Sequence, residues 1–179
     1  MDCSCGHCPG GCLGVSAYNG LISLNEQVNG KWSQIDNQLQ RRADLIPNLV
    51  NTVKGYAAHE QAAIQAVADA RAKLAGAQGP AAKAQADAEV NSALSRLLVV
   101  AENYPNLKAD RNFLALQDEL SGTENRIAVA RKDHNDAVQV YNVKIRSLPT
   151  SIFAGIIGFG PKEYFKVEEG AKQVPSVQF

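Results

Sequence analysis

Four cysteines near the start of the chain are the side chains whose type and spacing best fit chemistry. They are Cys3, Cys5, Cys8 and Cys12, with His7 between the second and the third, and the rest of the sequence contains no cysteine. Four thiolates at this density could bind Zn²⁺ tetrahedrally or hold an iron–sulfur cluster. We therefore treat the four cysteines as a candidate metal site, with His7 as a further candidate ligand.

Three other interpretations of this segment stay open. Zinc sites usually use two ligand pairs separated by a longer loop, which the spacing C-x-C-x2-C-x3-C does not match. The cysteines could instead form disulfides between chains, Cys12 could carry a lipid although no apolar segment precedes it, or the segment could have no role. Because all four cysteines lie within the first twelve residues, no disulfide framework holds the remaining chain, which must be stabilised by burial.

Other candidate motifs for catalysis are incomplete. His59 and Glu60 begin like the helical zinc-protease motif, but Ala63 stands where that motif needs its second histidine. His134 interrupts an apolar stripe, and we interpret it as a buried or register-setting polar residue. The sequence contains no Glu-x-x-His pair, phosphate-binding loop or serine elbow. It therefore predicts no catalytic residue, no small-molecule substrate, and no cofactor except a metal at the cysteines.

Composition favours one helical domain. The chain has 179 residues, of which 45% are hydrophobic and only 6% aromatic. Abundant alanine with few aromatics suits close-packed helices better than sheets. Lys plus Arg equals Asp plus Glu at 18 each, which argues against nucleic-acid binding. No long uninterrupted apolar run and no secretory signal are visible, so we expect no transmembrane helix in this chain.

Apolar residues spaced three or four apart predict four long helices. The first stripe begins at Tyr18, and a second stretch ends before the stop signal at 76–80. A third helix is predicted from about Ala81 to Glu102, and a fourth from about Ala109 to Leu148. Long amphipathic helices with short connections favour an antiparallel four-helix bundle, so the predicted class is all-α.

The boundary between the first two helices depends on Pro47. Proline inside a helix costs about 3 kcal/mol, so we predict that Pro47 breaks the helix that begins at Tyr18, which gives four helices. The alternative is that Pro47 only kinks this helix, which gives three helices with one very long member. Arg41, Arg42 and Asp44 lie just before this proline. We interpret these residues together with Pro47 as a candidate partner-binding patch, and the alternative is a solvated helix face with local ion pairs.

The chain divides into three predicted parts. Residues 1–16 form a Cys/Gly-rich tail, 17–149 the helical bundle, and 150–179 an apolar cap with a C-terminal tail. The apolar piece that begins at Ser151 is too short to cross a bilayer, so we expect it to cap one end of the bundle. Within the C-terminal tail the candidate contact residues are aromatic, namely Tyr164, Phe165 and Phe179.

Three stretches of the sequence carry a family resemblance. They are YNGLISLNEQVNGKWSQIDNQLQRRADLIPNLVNTVKGYAAHE from Tyr18, AENYPNLKADRNFLALQDELSGTENRIAVARKDHNDAVQVYNVKIRSLP from Ala101, and GFGPKEYFKVEEGAKQVPSVQF from Gly158. In these motifs and their order the chain resembles the LemA family of bacterial proteins. The resemblance implies an antiparallel helical bundle, no established catalytic residues, and a tether to the bacterial membrane through one N-terminal hydrophobic helix.

The resemblance also shapes the functional expectation. At the position of the family's membrane anchor, this chain has MDCSCGHCPGGCLGVS. We expect a non-enzymatic, membrane-associated or cell-envelope scaffold that binds protein partners or copies of itself. The alternative is a metal-binding or redox-linked assembly protein that acts through its N-terminal cysteines.

Overall fold

The described part of the chain is built from helices. The computed structural model describes residues 9–166 and, among these, the side chains of residues 14–152 and 154–166. Within this range it contains no strand, so the predicted all-α class is confirmed. The helices are α1 (Pro9–Tyr56), α2 (Gln61–Gly76), α3 (Gly79–Ala101), α4 (Pro105–Lys108), α5 (Arg111–Arg146) and α6 (Thr150–Ile157).

Helices α1 and α5 form a long antiparallel pair. At one point along it, Lys31 Nζ lies 2.9 Å from Asp133 Oδ2. Near the far end, Tyr56 Oη donates to Asp110 Oδ2 at 2.9 Å. With 48 residues, α1 is about 70 Å long, and the pair defines the long axis of the described structure.

Helices α2 and α3 cover only one half of this pair. Helix α2 runs back along α1, α3 returns beside it, and Lys73 of α2 pairs with Glu89 of α3. The larger apolar core lies in this half and extends from Ile35 to Ala130, with Phe165 added. In the other half α1 packs on α5, and a smaller core there is closed by Ala154 of α6. The predicted antiparallel four-helix bundle is therefore not confirmed, because α2 and α3 lie along only half of the α1–α5 pair.

The predicted break at Pro47 is wrong, because α1 continues through this residue to Tyr56. A proline leaves the carbonyl four residues earlier without its helical donor. That carbonyl belongs to Ala43, and it accepts instead from Arg71 Nε of α2 at 2.7 Å. Ile46 and Leu49 are buried on either side of the proline, so packing also holds this part of α1 in place. The chain reverses only at 57–60.

The other boundaries lie close to the predicted ones, with two differences. Helix α1 begins at Pro9, inside the predicted tail 1–16, while residues 1–8 lie outside the described range. At the other end, α5 stops at Arg146 and the apolar piece forms α6. Asp110 begins α5 as its N-cap, since its side chain accepts from the Phe113 N–H at 2.9 Å.

Candidate functional site

A group of charged and polar side chains joins three helices around Arg42, which is only 2% exposed, whereas the side chain of its outermost member, Glu124, is 56% exposed. Arg42 Nη1 lies 2.9 Å from Asp87 Oδ1 of α3. Its Nη2 donates to Asn91 of α3 and lies 3.5 Å from Glu124 Oε2 of α5. We call Arg42, Asp87, Asn91 and Glu124 the arginine cluster.

The arginine cluster is built for packing rather than for reaction. Burial raises the pKa of Asp87 above its usual value, and the opposing effect of the Arg42 guanidinium is smaller. The cavity beside the cluster measures about 80 Å³, well below the roughly 300 Å³ at which ligand pockets begin. The ion pair between Arg42 and Asp87 therefore holds α1 against α3, and Glu124 of α5 approaches the same guanidinium.

The patch predicted around Pro47 is divided between surface and interior. Arg41 is exposed and pairs with Glu119 of α5. Asp44 is also exposed, and it accepts from Gln40 Nε2 at 3.1 Å. Consecutive helix residues point about 100° apart, which places Arg42 inside while Arg41 faces solvent. Arg42 thus differs from the predicted contact residue, since its guanidinium is enclosed.

The segment 158–166 is held against α5 by two asparagines. Asn142 Nδ2 donates to the Lys162 carbonyl at 3.0 Å, while its Oδ1 accepts from the Lys162 N–H at 2.8 Å. Asn135 makes the same pair of bonds with Phe165, at 3.1 and 2.8 Å. Seven helical residues span about 10.5 Å and three extended residues about 10 Å, so the two spacings match. We call Asn135, Asn142 and the segment 158–166 the clasp.

The aromatic residues of the clasp face inward to different degrees. Phe165 is 1% exposed, and its ring centroid lies 6.2 Å from that of Trp32 on α1. Phe165 is therefore an internal anchor, in contrast to the predicted contact role. Tyr164 is half-buried, and Lys166 Nζ lies 5.1 Å from the centre of its ring. Phe179 lies outside the described residues.

His134 lies in the interior beside the clasp, as the sequence interpretation expected. It is 1% exposed, and its ring centroid is 5.6 Å from that of Trp32. Burial lowers the pKa of His134, and the hydrogen bond with Asn135 opposes this effect only in part. Its Nδ1 is closed off from solvent and has no hydrogen-bond partner within residues 9–166. Burial therefore favours the neutral form of the imidazole, and the ring lines a cavity of about 310 Å³ together with Trp32 and Lys162.

The sequence analysis did not identify four residues that organise these contacts. They are Arg71, Asp87, Asn135 and Asn142. For the asparagines a signal exists, because they are one heptad apart beside the stripe of α5. For Asp87 the signal is a carboxylate placed between alanines in the start of α3. Nothing near Arg71 in the sequence marks its role.

The candidate metal ligands cannot be placed. Cys3, Cys5, His7 and Cys8 lie outside the described residues, and for Cys12 only its position on α1 is described. In the portion of the chain whose side chains are described, no three His, Cys, Asp or Glu residues cluster as metal ligands would. The metal site at the cysteines stays a prediction.

The fold and its buried polar contacts define a class of protein: an all-helical protein built on a long antiparallel helix pair. None of the helices described in residues 9–166 is long and apolar enough to cross a membrane. The model of the LemA family matches residues 31–179. The chain belongs to the LemA family, and the resemblance found in the sequence is confirmed.

Relatives with names add to this assignment. The chain is 30% identical to magnetosome protein MamQ 2 of Paramagnetospirillum magneticum, over 89% of this chain and 68% of the relative. It is 28% identical to magnetosome protein MamQ of Magnetospirillum gryphiswaldense, over the same shares of each chain. It is 23% identical to protein LemA of Metamycoplasma hominis, over 78% of this chain and 64% of the relative.

Proposed function

We propose that this protein is a non-enzymatic assembly protein of the bacterial membrane or cell envelope, which binds protein partners or further copies of itself. Membership of the LemA family supports the membrane association, since the family resemblance implies a membrane tether. Relatives named as magnetosome proteins support a role in assembling a structure. Arg42 and Asp87 are enclosed in packing contacts between helices, which agrees with a non-enzymatic role.

The observation that carries the proposal is a groove of about 470 Å³ between α1 and α5. Its walls include Gln34 and Gln38 of α1 and Arg126 of α5, and Val129 lies at its edge. Gln38 Oε1 is buried there without a hydrogen-bond partner among the described residues. A groove with polar walls, apolar patches and an unsatisfied amide suits a helix or extended segment of a partner protein.

Val129 and Val99 offer a matched test of this groove. Val129 is 64% exposed at the groove, and Val99 is 65% exposed on α3 away from it. A photo-crosslinking amino acid is placed at either position of the full chain in its own cells. We expect adducts with a defined protein, or with a second copy, from position 129 and none from position 99.

Two further measurements complete the test. Val129→Arg should weaken self-association or recovery of the crosslinked protein by about tenfold or more, because a buried charge at an interface is costly. Val99→Arg should leave both unchanged. If self-association and recovery of the crosslinked protein were the same for the two variants, the groove would be ruled out as the binding site. Recovery of the native protein entirely apart from the membrane fraction would rule out the membrane association.

A further inference from the structure

One end of the α1–α5 pair contains almost no charge. In α1 the stretch from Pro9 to Asn25 contains no charged residue, and the stretch 147–161 contains none either. Between 137 and 146 on α5 the only charges are Lys144 and Arg146, which are both exposed. We call residues 14–25 and 137–160 the apolar end. The only charged residues in these two ranges are therefore the positively charged Lys144 and Arg146.

Large apolar side chains are exposed at this end far more than elsewhere. Of the twelve exposed large hydrophobic side chains in the described residues, eight lie here. Folded monomers rarely leave such a concentration of apolar surface in water. The eight are Val15, Tyr18, Val140, Val143, Leu148, Ile152, Ile156 and Ile157.

Helix α6 packs on the protein with small residues and exposes isoleucines to solvent. Its small residues Thr150 and Ala154 face the protein and are each 3% exposed. Two of its isoleucines face outward, with Ile152 59% and Ile156 78% exposed. Leu148, just before the helix, continues the same four-residue spacing. A helix that is apolar on both faces belongs in surroundings that are apolar on both sides.

Two surfaces could cover the apolar end, namely a second copy of the chain and a lipid membrane. The charges at this end favour one of them. A second copy packed end to end would bring Lys144 and Arg146 against their own equivalents. The described residues of the apolar end contain no Asp or Glu to pair with them. Anionic lipid headgroups supply that negative charge, and the acyl boundary beneath them takes the apolar side chains.

We infer that the apolar end docks on an anionic lipid surface, with the outer face of α6 inserted at the boundary of headgroups and acyl chains. This inference rests on the proposed membrane association and identifies the surface through which the protein binds the membrane. The surface is formed by the ends of α1 and α5 together with α6. The long axis of the helix pair would then stand away from the bilayer and present the groove to partners.

The test uses the full chain and its flotation with phospholipid vesicles. Vesicles of phosphatidylcholine alone are compared with vesicles that also contain phosphatidylglycerol. We expect stronger flotation with the anionic vesicles, weakened by salt. The double variant Ile152→Glu/Ile156→Glu should lower partitioning about tenfold or more, because two inserted side chains become charged.

A matched control uses exposed apolar side chains away from this end. Val99→Glu/Leu114→Glu adds the same two charges at side chains that are 65% and 44% exposed, and it should float like the wild type. Lys144→Glu/Arg146→Glu should remove the preference for anionic vesicles. All the substituted side chains are exposed, and circular dichroism verifies that each variant keeps its helices.

Each contrary outcome has a distinct meaning. Equal flotation of the wild type and Ile152→Glu/Ile156→Glu overturns the assigned surface and leaves the membrane association standing. Flotation that appears only after deletion of residues 167–179 overturns it too, because the chain's own tail would then cover the patch. Dimers in ultracentrifugation that Ile156→Glu dissolves, without flotation, identify a second copy as the occupant. Fractionation of native cells tests the proposed function independently.

Discussion

Two consecutive arginines of α1 have opposite environments. Arg41 lies on the surface, where its side chain is 54% exposed and pairs with Glu119. Arg42 is enclosed with Asp87 and Asn91. An exposed ion pair contributes about 0–1 kcal/mol, whereas removing one partner of a buried pair leaves an uncompensated charge. The two residues therefore supply a matched comparison.

We predict that Arg42→Met lowers the free energy of unfolding by about 3–5 kcal/mol, because it leaves the Asp87 carboxylate buried without its partner. Arg41→Met should lower it by no more than about 1 kcal/mol. Urea denaturation at neutral pH, followed by circular dichroism, measures both. Arg42→Met/Asp87→Leu should recover much of the loss, and equal costs for the two single variants would contradict the prediction.

His134 predicts a pH dependence of stability. Burial lowers its pKa in the folded protein, whereas in the unfolded chain the imidazole titrates near about 6.5. Below that pH the unfolded chain binds a proton that the folded protein resists, so stability should fall as the pH drops through about 6.5. Well above that pH neither the folded nor the unfolded chain binds the proton, so His134 no longer lowers the stability. Urea denaturation between about pH 7.5 and 5.5 measures the effect.

A substitution isolates the contribution of this histidine. His134→Phe should flatten the pH dependence in that range, since the buried ring no longer titrates. His59 is exposed on the surface, and His59→Gln should leave the dependence as it is in the wild type. A slope that survives in His134→Phe would assign the effect to other groups.

At the scale of helices, Pro47 shows how tertiary contacts can override a local signal. The rule that proline ends a helix fails here because Arg71 of α2 supplies the donor that the proline lacks. This donor is 28 residues away in sequence. The Ala43 carbonyl that receives it belongs to a residue only 4% exposed, so water does not replace the arginine.

A double-mutant cycle tests this compensation. Arg71→Met should cost about 1–3 kcal/mol in the wild type, because it leaves a buried carbonyl without a donor. In a Pro47→Ala background the cost should be smaller, since the new N–H at position 47 can bond Ala43. Arg96→Met, on the exposed face of α3, is the control. Equal costs of Arg71→Met in both backgrounds would show that the two residues act independently.

The end of α2 and both ends of α3 and α5 were predictable from the sequence to within a few residues, whereas the start of α1 and its continuation through Pro47 were not. Apolar stripes recur every three or four residues, and Gly79, Pro80 and Pro105 mark the connections. Each of these signals is local, so no knowledge of neighbouring helices is needed. The stop signals therefore predicted the helix ends correctly wherever no side chain from a distant part of the sequence compensated for them.

The candidate site was less predictable, because its contacts join distant parts of the chain. Arg42 meets Asp87 across 45 residues, and Asn142 meets Lys162 across 20. Both asparagines of the clasp look like ordinary polar residues on a helix. Their role appears only when an extended segment with the matching repeat lies beside them. Pairing of this kind follows from the register between elements, which a helical stripe does not specify.

At the scale of the whole molecule, the described residues form two cores of unequal size along one helix pair. The larger core includes residues of α1, α2, α3, α4 and α5 together with Phe165. Among the residues whose side chains are described, the buried members of the smaller core are Leu21, Val28, Val138, Tyr141, Ile145 and Ala154. Local opening is cheapest where the least apolar surface is buried. The apolar end should therefore open before the rest of the molecule.

Hydrogen exchange followed by mass spectrometry should reveal this order directly. Amides at 14–31 and 137–157 should exchange faster than those at 35–56 and 81–101, because they open without global unfolding. Leu21→Ala and Leu97→Ala each remove a fully buried leucine, at a local cost of about 2–5 kcal/mol. Leu21→Ala should speed exchange at the apolar end alone, whereas Leu97→Ala should speed it throughout the larger core. Uniform protection along α1 would mean that the two cores unfold as one unit, and the apolar end would then have no independent freedom to rearrange on a surface.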